Sequence, residues 1–286
     1  MTARAKTPQA FAFRALAIAF AVLVVLYLLV PIGAILPLAF TDSVFLTYPI
    51  PRASDRWFEE IATRDVWRRA ILNSMIIGTG ATLLATVLGT LAALGLRRGL
   101  VPFGDVLRSF FLLPMVVPAV VLGVGMQILY ARMGLANSYL GVIVAHAVLC
   151  VPFVVVNVAG SLAAIDPALE KAAASLGAPP WRVFRYVTLP LALPGILAGA
   201  AFSFAISLDE VVITLFVAGP NQTTLARQMF SSIRENISPA IAAAAFLIIL
   251  LTLVLALLVK APAILAWFRR RRPAPAVPEA APGVSG

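Results

Sequence analysis

Residues 166–195 read DPALEKAAASLGAPPWRVFRYVTLPLALPG and separate two long apolar stretches of the chain. The segment is too polar and too often broken to cross a bilayer, and its pattern predicts two short amphipathic helices around a turn. Asp166 suits the N-cap of the first helix, and Pro167 suits its first helical position. Gly177 suits the C-terminal stop, and the two prolines that soon follow prevent simple continuation. We expect a membrane protein with such a segment on its surface to present it to a partner.

Composition and charge spacing predict the fold class. Hydrophobic residues make up 62% of the 286 residues and charged residues only 12%, which is far from ordinary soluble usage. Six uncharged runs each exceed the roughly 18–20 residues that a helix needs to cross a bilayer. These runs are residues 15–41, 70–96, 109–131, 133–165, 186–208 and 236–259. Backbone polar groups inside lipid must be satisfied within their own segment, so we predict an all-α integral membrane protein with six transmembrane helices.

The charges outside these runs predict orientation and boundaries. Lysine and arginine in short loops favour the cytoplasm, and 14 of the 22 lie on the side of the two termini. Both termini and the segment 166–195 should therefore face the cytoplasm, although five arginines lie in the first outer loop. We predict a cytoplasmic tail at 1–14 and a transmembrane domain at 15–268 with its core at about 70–265. Residues 269–286 should form a cytoplasmic tail that is disordered, because it is rich in proline and alanine.

Several functions are disfavoured by what the sequence lacks. None of its three lysines follows the glycine of a G-x-x-x-x-G-K-[ST] loop, so ATP binding by that phosphate cradle is excluded. The one histidine, His146, and the one cysteine, Cys150, give no convincing zinc site or nucleophile, and we expect His146 to pack or bond between helices. The net charge of +10 is explained by membrane topology and not by nucleic-acid binding. We therefore expect no enzymatic activity, no metal and no cofactor in this chain.

The segment between the fourth and fifth runs carries a recognisable motif. Eight residues stand at its spacing: Ala172, Ala173, Leu176, Gly177, Phe184, Leu189, Pro190 and Pro194. The segment resembles the EAA loop of ABC-importer permeases, the MetI-like family of binding-protein-dependent transporters, in which it is the coupling helix that docks into a cytoplasmic ATPase. The resemblance implies docking through Glu170, Lys171, Ala172, Ala173, Leu176, Gly177, Phe184 and Pro190. Lys171 stands where the family has glutamate, and Glu170, one position earlier, is turned from it by about 100° on a helix.

A second resemblance concerns the cargo. Residues 203–220, SFAISLDEVVITLFVAGP, are similar to the corresponding stretch of spermidine/putrescine permeases. Asp209 and Glu210 end the fifth run near the outer membrane boundary, where a carboxylate is costly unless it faces a bundle interior, a partner or water. A path for a cation would use them, and an equally weighted alternative is a structural pair bonded to Arg227 or to a partner permease. The other polar candidates for the path are Ser207, Gln127, Tyr130 and Asn157.

Taken together, the resemblances imply a permease subunit of a type I ABC importer in a bacterial inner membrane, which moves a polyamine by alternating access. The implied partners are a second permease, forming a heterodimer or homodimer, and two cytoplasmic ATPase subunits that hold ATP and Mg. A periplasmic binding protein would deliver substrate to the outer loops at 42–69 and 219–239. The same machine could carry iron, a phosphonate, thiamine or an anion. A self-sufficient carrier or channel is a different alternative, but no convincing inverted repeat favours a carrier.

Overall fold

Helices make up nearly all of the chain that the structure describes. The structure is a computed structural model and describes residues 8–97, 101–235 and 237–270. Its α-helices there are α1 (Pro8–Ile35), α2 (Arg56–Thr63), α3 (Asp65–Arg97), α4 (Gly104–Leu112), α5 (Ala119–Met133), α6 (Tyr139–Ala163), α7 (Pro167–Ser175), α8 (Pro180–Val183), α9 (Leu189–Asp209), α10 (Val212–Val217), α11 (Leu225–Glu235) and α12 (Ala240–Arg270). These residues contain no β-strand, although Thr41 and Ala53 form an isolated bridge. The prediction of an all-α fold is confirmed.

Within the described residues, five helical stretches are long and apolar enough to span a membrane. They are Phe13–Phe40, Asp65–Arg97, Tyr139–Ala163, Pro180–Asp209 and Ala240–Val259. A sixth span is reached if the bent pair Gly104–Met115 and Ala119–Met133 is counted as one. The five stretches overlap five of the six uncharged runs, and the bent pair covers the remaining one. The count of six spans therefore agrees with the sequence, while the form of the third span differs.

The third span, over the uncharged run 109–131, is bent by 98° between Gly104–Met115 and Ala119–Met133. Pro114 lies in the short 3₁₀ turn Leu113–Met115, and Pro118 is the N-cap of α5 with ψ 133°. Proline lacks the N–H that continues a helix, and it also disfavours helical geometry in the residue before it. The break coincides with Pro114 and Pro118, whereas Pro152 lies inside α6, which continues through it.

The core lies where α3, α6 and α9 pack closely. A Cβ added at Gly89 of α3 would lie 2.6 Å from the Cβ of Val154 on α6, and one added at Gly199 of α9 would lie 3.0 Å from the Val154 Cα. A Cβ at Gly195 would lie 2.6 Å from the backbone carbonyl oxygen of Asn157. Small residues permit this approach of helix backbones, which is the usual means of helix association in membranes. The segment with α7 and α8 connects α6 to α9 and so joins two helices of this core.

Both terminal helices continue into residues that the sequence assigns to the tails. α1 begins at Pro8, inside the tail predicted over residues 1–14, and α12 continues to Arg270, inside the tail predicted from residue 269. Proline is favoured at the first position of a helix, which fits the start of α1. The most apolar part of the first span has none of its residues buried within the chain. The rest of the predicted tails, residues 1–7 and 271–286, lies outside the described residues.

Candidate coupling surface and substrate path

The α7 helix begins at the capping residue that the sequence predicts. The Asp166 carboxylate accepts a hydrogen bond from the Ala168 N–H at 2.8 Å, and Pro167 occupies the first helical position. A carboxylate at this position satisfies an N–H that the first turn leaves free, and it lies favourably at the positive end of the helix dipole. The start of α7 is therefore fixed by local sequence.

The end of α7 is a left-handed turn at Gly177, where φ is 81°. The Gly177 N–H donates to the Ala174 carbonyl at 2.9 Å, and the Ala178 N–H donates to the Ala173 carbonyl at 3.2 Å. These two bonds form a Schellman motif, which satisfies carbonyl groups at the end of a helix. Glycine adopts this φ without steric cost. The predicted stop at Gly177 is thus confirmed, and α8 begins three residues later at Pro180.

The side chains that α7 and α8 expose are largely apolar. Leu176 is 88% exposed, Trp181 is 68% exposed and Leu169 is 49% exposed. Ala172 is also exposed, whereas Ala173 is only half-buried. Exposed groups of large apolar side chains mark contacts with proteins or with a membrane. We call Leu169, Ala172, Leu176 and Trp181 the coupling surface.

Glu170 is directed at the body of the protein, although the sequence placed it among the docking residues. Its carboxylate accepts hydrogen bonds from the Arg97 guanidinium at 2.7 Å and from the Thr188 hydroxyl at 2.6 Å. Lys171, the next residue, is exposed. The difference follows from the offset of one helical position, because adjacent residues of a helix point about 100° apart.

The second half of the predicted docking segment is the beginning of a membrane span. A π-helical turn, Phe184–Thr188, joins α8 to α9, so that Pro180–Asp209 is one 30-residue helical stretch. The Phe184 ring packs against Trp181 with 5.5 Å between ring centroids, and Phe184 is half-buried while Pro190 is exposed. The sequence predicted a separate short helix here. Instead, the exposed Trp181 lies at the end of the span itself.

Asp209 and Glu210 occupy different environments at the C-terminal end of α9. Asp209 is exposed, whereas Glu210 is half-buried just beyond the span. The Glu210 carboxylate accepts the Ile213 N–H at 2.6 Å and so caps the first turn of α10. Burial raises the pKa of the Glu210 carboxyl above its ordinary value, and its bonds to backbone N–H groups reduce that rise. Of the two acids, Asp209 is therefore the one with a side chain open to an incoming cation.

Ser207 belongs to a buried hydrogen-bond network centred on His146. The Nδ1 atom of His146 lies 2.8 Å from the Ser207 hydroxyl, and its Nε2 atom lies 2.9 Å from the Thr214 hydroxyl. The Thr214 hydroxyl donates to the Glu210 carbonyl at 3.0 Å. The Thr214 hydroxyl oxygen therefore accepts a hydrogen bond from the Nε2–H of His146. The Nδ1 atom of His146 accepts a hydrogen bond from the Ser207 hydroxyl. His146 bonds between α6, α9 and α10, as the sequence indicated, and Ser207 faces this network.

The remaining path candidates lie on α5 and α6. Gln127 is exposed on α5, and Tyr130 is buried against α10 and α6. The Asn157 side-chain amide donates to the Phe153 carbonyl of its own helix at 2.8 Å. Asn157 also borders a groove of about 750 Å³ between α9 and α12, away from Asp209. Tyr130 thus packs beside α10, the helix that Glu210 caps, whereas Asn157 borders a different groove.

Asn73, near the start of the second span, is a structural residue that the sequence did not single out as a site. Its side-chain amide donates to the carbonyls of Asn221 and Thr223, both at 2.9 Å, and its side-chain oxygen accepts from the Tyr139 hydroxyl at 2.7 Å. The adjacent Ser74 hydroxyl accepts the Leu225 N–H at 2.8 Å. The sequence feature that could have indicated this role is the pair of consecutive polar residues, Asn73 and Ser74, near the start of an apolar run. Together they hold the loop before α11 against α3.

Arg227 does not pair with the two acids as one alternative proposed. Its guanidinium donates to the Ala218 carbonyl at 2.8 Å, at the end of α10. A cation at this position is favourable because the carbonyl end of a helix is the negative end of its dipole. Burial lowers the pKa of Arg227. In the part of the chain that the structure describes, no group of three or more His, Cys, Asp or Glu side chains is placed to hold a metal ion.

Comparison with known proteins gives a consistent result. Residues 85–262 match the family described as "Binding-protein-dependent transport system inner membrane component". The putrescine transport system permease protein PotI of Escherichia coli is 35% identical over 207 residues, which cover 68% of this chain and 72% of PotI. The spermidine/putrescine transport system permease protein PotC of Haemophilus influenzae is 31% identical over 241 residues, which cover 84% of this chain and 93% of PotC.

A similarity in fold extends to solved structures. A bacterial ABC transporter involved in the import of the acidic polysaccharide alginate matches with a TM-score of 0.65 and 16% identity. The match covers 92% of this chain and 96% of that chain. At this identity the likeness concerns the fold alone. The family resemblance that the sequence carries is confirmed by the family match over residues 85–262 and by the similarity to PotI and PotC.

Proposed function

The chain belongs to the family of binding-protein-dependent transport system inner membrane components, and from that membership we propose that it is a permease subunit of a type I ABC importer. It is a multi-pass protein of the inner membrane. ATP and Mg are held by two separate cytoplasmic ATPase subunits, and this chain forms the transport path together with a second permease. Neither ATP hydrolysis nor metal chemistry is assigned to this chain.

The observation that carries the proposal is the exposed coupling surface on a helix capped at both ends. Leu176 is 88% exposed next to a rigid left-handed turn, which is unfavourable for an apolar side chain that stays in water. Docking into a cleft of a cytoplasmic ATPase would remove Leu176 and Trp181 from water. The segment connects α6 to α9, so a movement of the docked ATPase would reach two helices of the core.

This arrangement requires the loop that contains α7 to lie in the cytoplasm. The excess of lysine and arginine on the side of both termini supports that orientation. The outer side then holds α2, α10 and α11. These elements and their connections are where a periplasmic binding protein would release its substrate.

For the cargo we propose a small polyamine such as putrescine or spermidine. An exposed carboxylate at the outer end of a membrane helix, here Asp209, attracts a cation and costs little when water or a cation faces it. The similarity to PotI and PotC supports the same class of cargo. We propose that the path is completed at the interface with the second permease. Alternating access between the two permeases would then move the solute.

The docking part of this proposal is tested by co-purification. The permease is expressed with its partner permease and ATPase, and the ATPase retained on the tagged permease is measured. Leu176→Asp should abolish retention, because it places a charge on the coupling surface. The matched control is Leu46→Asp, another exposed leucine, which lies in the first outer loop. Full retention of the ATPase by Leu176→Asp would refute docking through this surface.

The cargo is tested by uptake into proteoliposomes that contain the complete complex and its binding protein. We expect ATP-dependent uptake of labelled putrescine, with competition by unlabelled spermidine. Competition by iron, thiamine, a phosphonate or an inorganic anion instead would reject the polyamine assignment and keep the importer. Uptake by this chain alone, without ATPase or binding protein, would identify a self-sufficient carrier or channel.

A further inference from the structure

The α7 helix is held to the membrane domain mainly through polar contacts. None of its residues is buried, and its apolar side chains Leu169 and Leu176 face outward. Hydrophobic packing therefore contributes little to its position, since packing of this kind requires area removed from water. The hydrogen-bonding side chain that α7 directs inward is Glu170.

Glu170 connects three elements at the inner end of the core. Its Oε1 atom lies 2.7 Å from the Arg97 guanidinium, at the last residue of α3, and 2.6 Å from the Thr188 hydroxyl, just before α9. The Arg97 and Glu170 side chains are only 18% and 19% exposed, and Thr188 is fully buried. Arg97 also lies 3.5 Å from the Ile165 carbonyl in the turn between α6 and α7. We call Arg97, Glu170 and Thr188 the α7 clasp.

A partly buried, hydrogen-bonded ion pair differs from a surface ion pair in its effect. Surface pairs contribute little because water screens them and their side chains remain mobile. Removal of one member of a shielded pair leaves the other charge without its partner, which is strongly unfavourable. The α7 clasp therefore favours one position of α7 relative to α3 and α9, and it resists a displacement of α7 that these helices do not follow.

We infer that Glu170 is a positioning residue that makes α3 and α9 follow the movement of α7. The inference rests on the proposed function, because it assumes that an ATPase moves α7. Through the Arg97–Glu170 pair, a movement of α7 would produce a movement of the spans. The coupling surface makes the contact with the ATPase, and the clasp makes the contact with the membrane domain.

The first experiment measures the position of α7 in the purified permease, without ATPase or cargo. Spin labels are attached to Ala174→Cys on α7 and to Leu91→Cys on α3, both at exposed positions, and the distribution of distances between them is recorded. Cys150 is fully buried and should stay unlabelled. We expect one narrow distribution in the otherwise unchanged chain and a broader one with Glu170→Gln or Arg97→Gln. An unchanged distribution in both variants would overturn the inference.

The second experiment measures coupling in the complete complex. With Glu170→Gln we expect the ATPase to be retained and to hydrolyse ATP, while uptake per ATP falls about fivefold or more, within the usual range of coupling between sites. The charge exchange Arg97→Glu with Glu170→Arg should recover part of this loss. The matched control is Glu60→Gln, which removes the Glu60–Arg64 pair on α2, joined at 3.2 Å on the outer side. This control should leave uptake per ATP unchanged.

The outcomes separate the inference from the proposed function. If the unmodified complex neither retains an ATPase nor transports, the proposed function fails, while the label distances still test the clasp. Unchanged uptake per ATP with Glu170→Gln in an active complex would overturn the inference alone. Loss of ATPase retention together with uptake, without recovery by the charge exchange, would also overturn it, because the clasp would then only support folding.

Discussion

The turn at Gly177 allows a quantitative prediction, because a side chain placed there would strain the backbone without colliding with neighbouring atoms. Its φ is 81°, and a Cβ added there would meet no atom within 4 Å. The cost of a side chain is therefore conformational and not steric crowding. An L-residue in the left-handed region costs about 1–2 kcal/mol, and a β-branched residue is especially poorly accommodated. Such a cost lowers the population of the capped turn by roughly 5- to 30-fold.

We expect Gly177→Val to lower transport and substrate-stimulated ATP hydrolysis together. Insertion and yield should be preserved, since no span is altered. Gly177→Asn should be tolerated better, because asparagine visits this conformation more readily. Gly177→Ala should show a milder form of the same loss, and Gly160→Ala is its matched control, because Gly160 also has open space around an added Cβ but has no positive φ. Normal coupled transport with Gly177→Val, at normal yield, would refute the role of this turn.

Three further predictions concern cargo, packing and orientation. Asp209→Asn should lower putrescine uptake without loss of assembled complex. Glu210→Gln should lower the yield of the complex as well, because the Glu210 carboxylate caps α10. Equal uptake by the double variant and the unmodified complex would show that the two acids have only a structural role. Gly195→Ala should lower the thermal midpoint of the purified chain, because overpacking against α6 costs about 1–3 kcal/mol of folding free energy. The control Gly125→Ala should leave the midpoint unchanged, because an added Cβ at Gly125 meets open space. A reporter fused after Gly286 should be cytoplasmic, and a periplasmic signal would reverse the orientation.

Features fixed by short-range interactions were predictable from the sequence. The Asp166 cap bonds two residues away, and the turn at Gly177 bonds three and five residues back. The lengths of the uncharged runs likewise predict the spans, since the bilayer sets the length of a helix. None of these inferences needs knowledge of which helices are neighbours.

Features that depend on contacts between distant residues were not predictable. Glu170 meets Arg97 from 73 residues away, and Asn73 meets Thr223 from 150 residues away. Which side of α7 faces the membrane domain follows from those contacts and not from its amphipathic pattern. The bend of the third span at Pro118 is a further case, because a proline in an apolar run permits either a continuous helix, as at Pro152, or a break.

The continuous helical stretch Pro180–Asp209 provides a physical link between the two ends of the proposed mechanism. Its 30 residues correspond to about 45 Å at the rise of an α-helix, enough to cross the bilayer. Trp181 is exposed at its inner end and Asp209 at its outer end. The stretch is bonded to α7 through Thr188 and to α6 through Ser207. A displacement of α7 would thus be carried toward the outer carboxylate by one helix, with the π-helical turn at Phe184–Thr188 as the place where it departs from regular α-helical geometry.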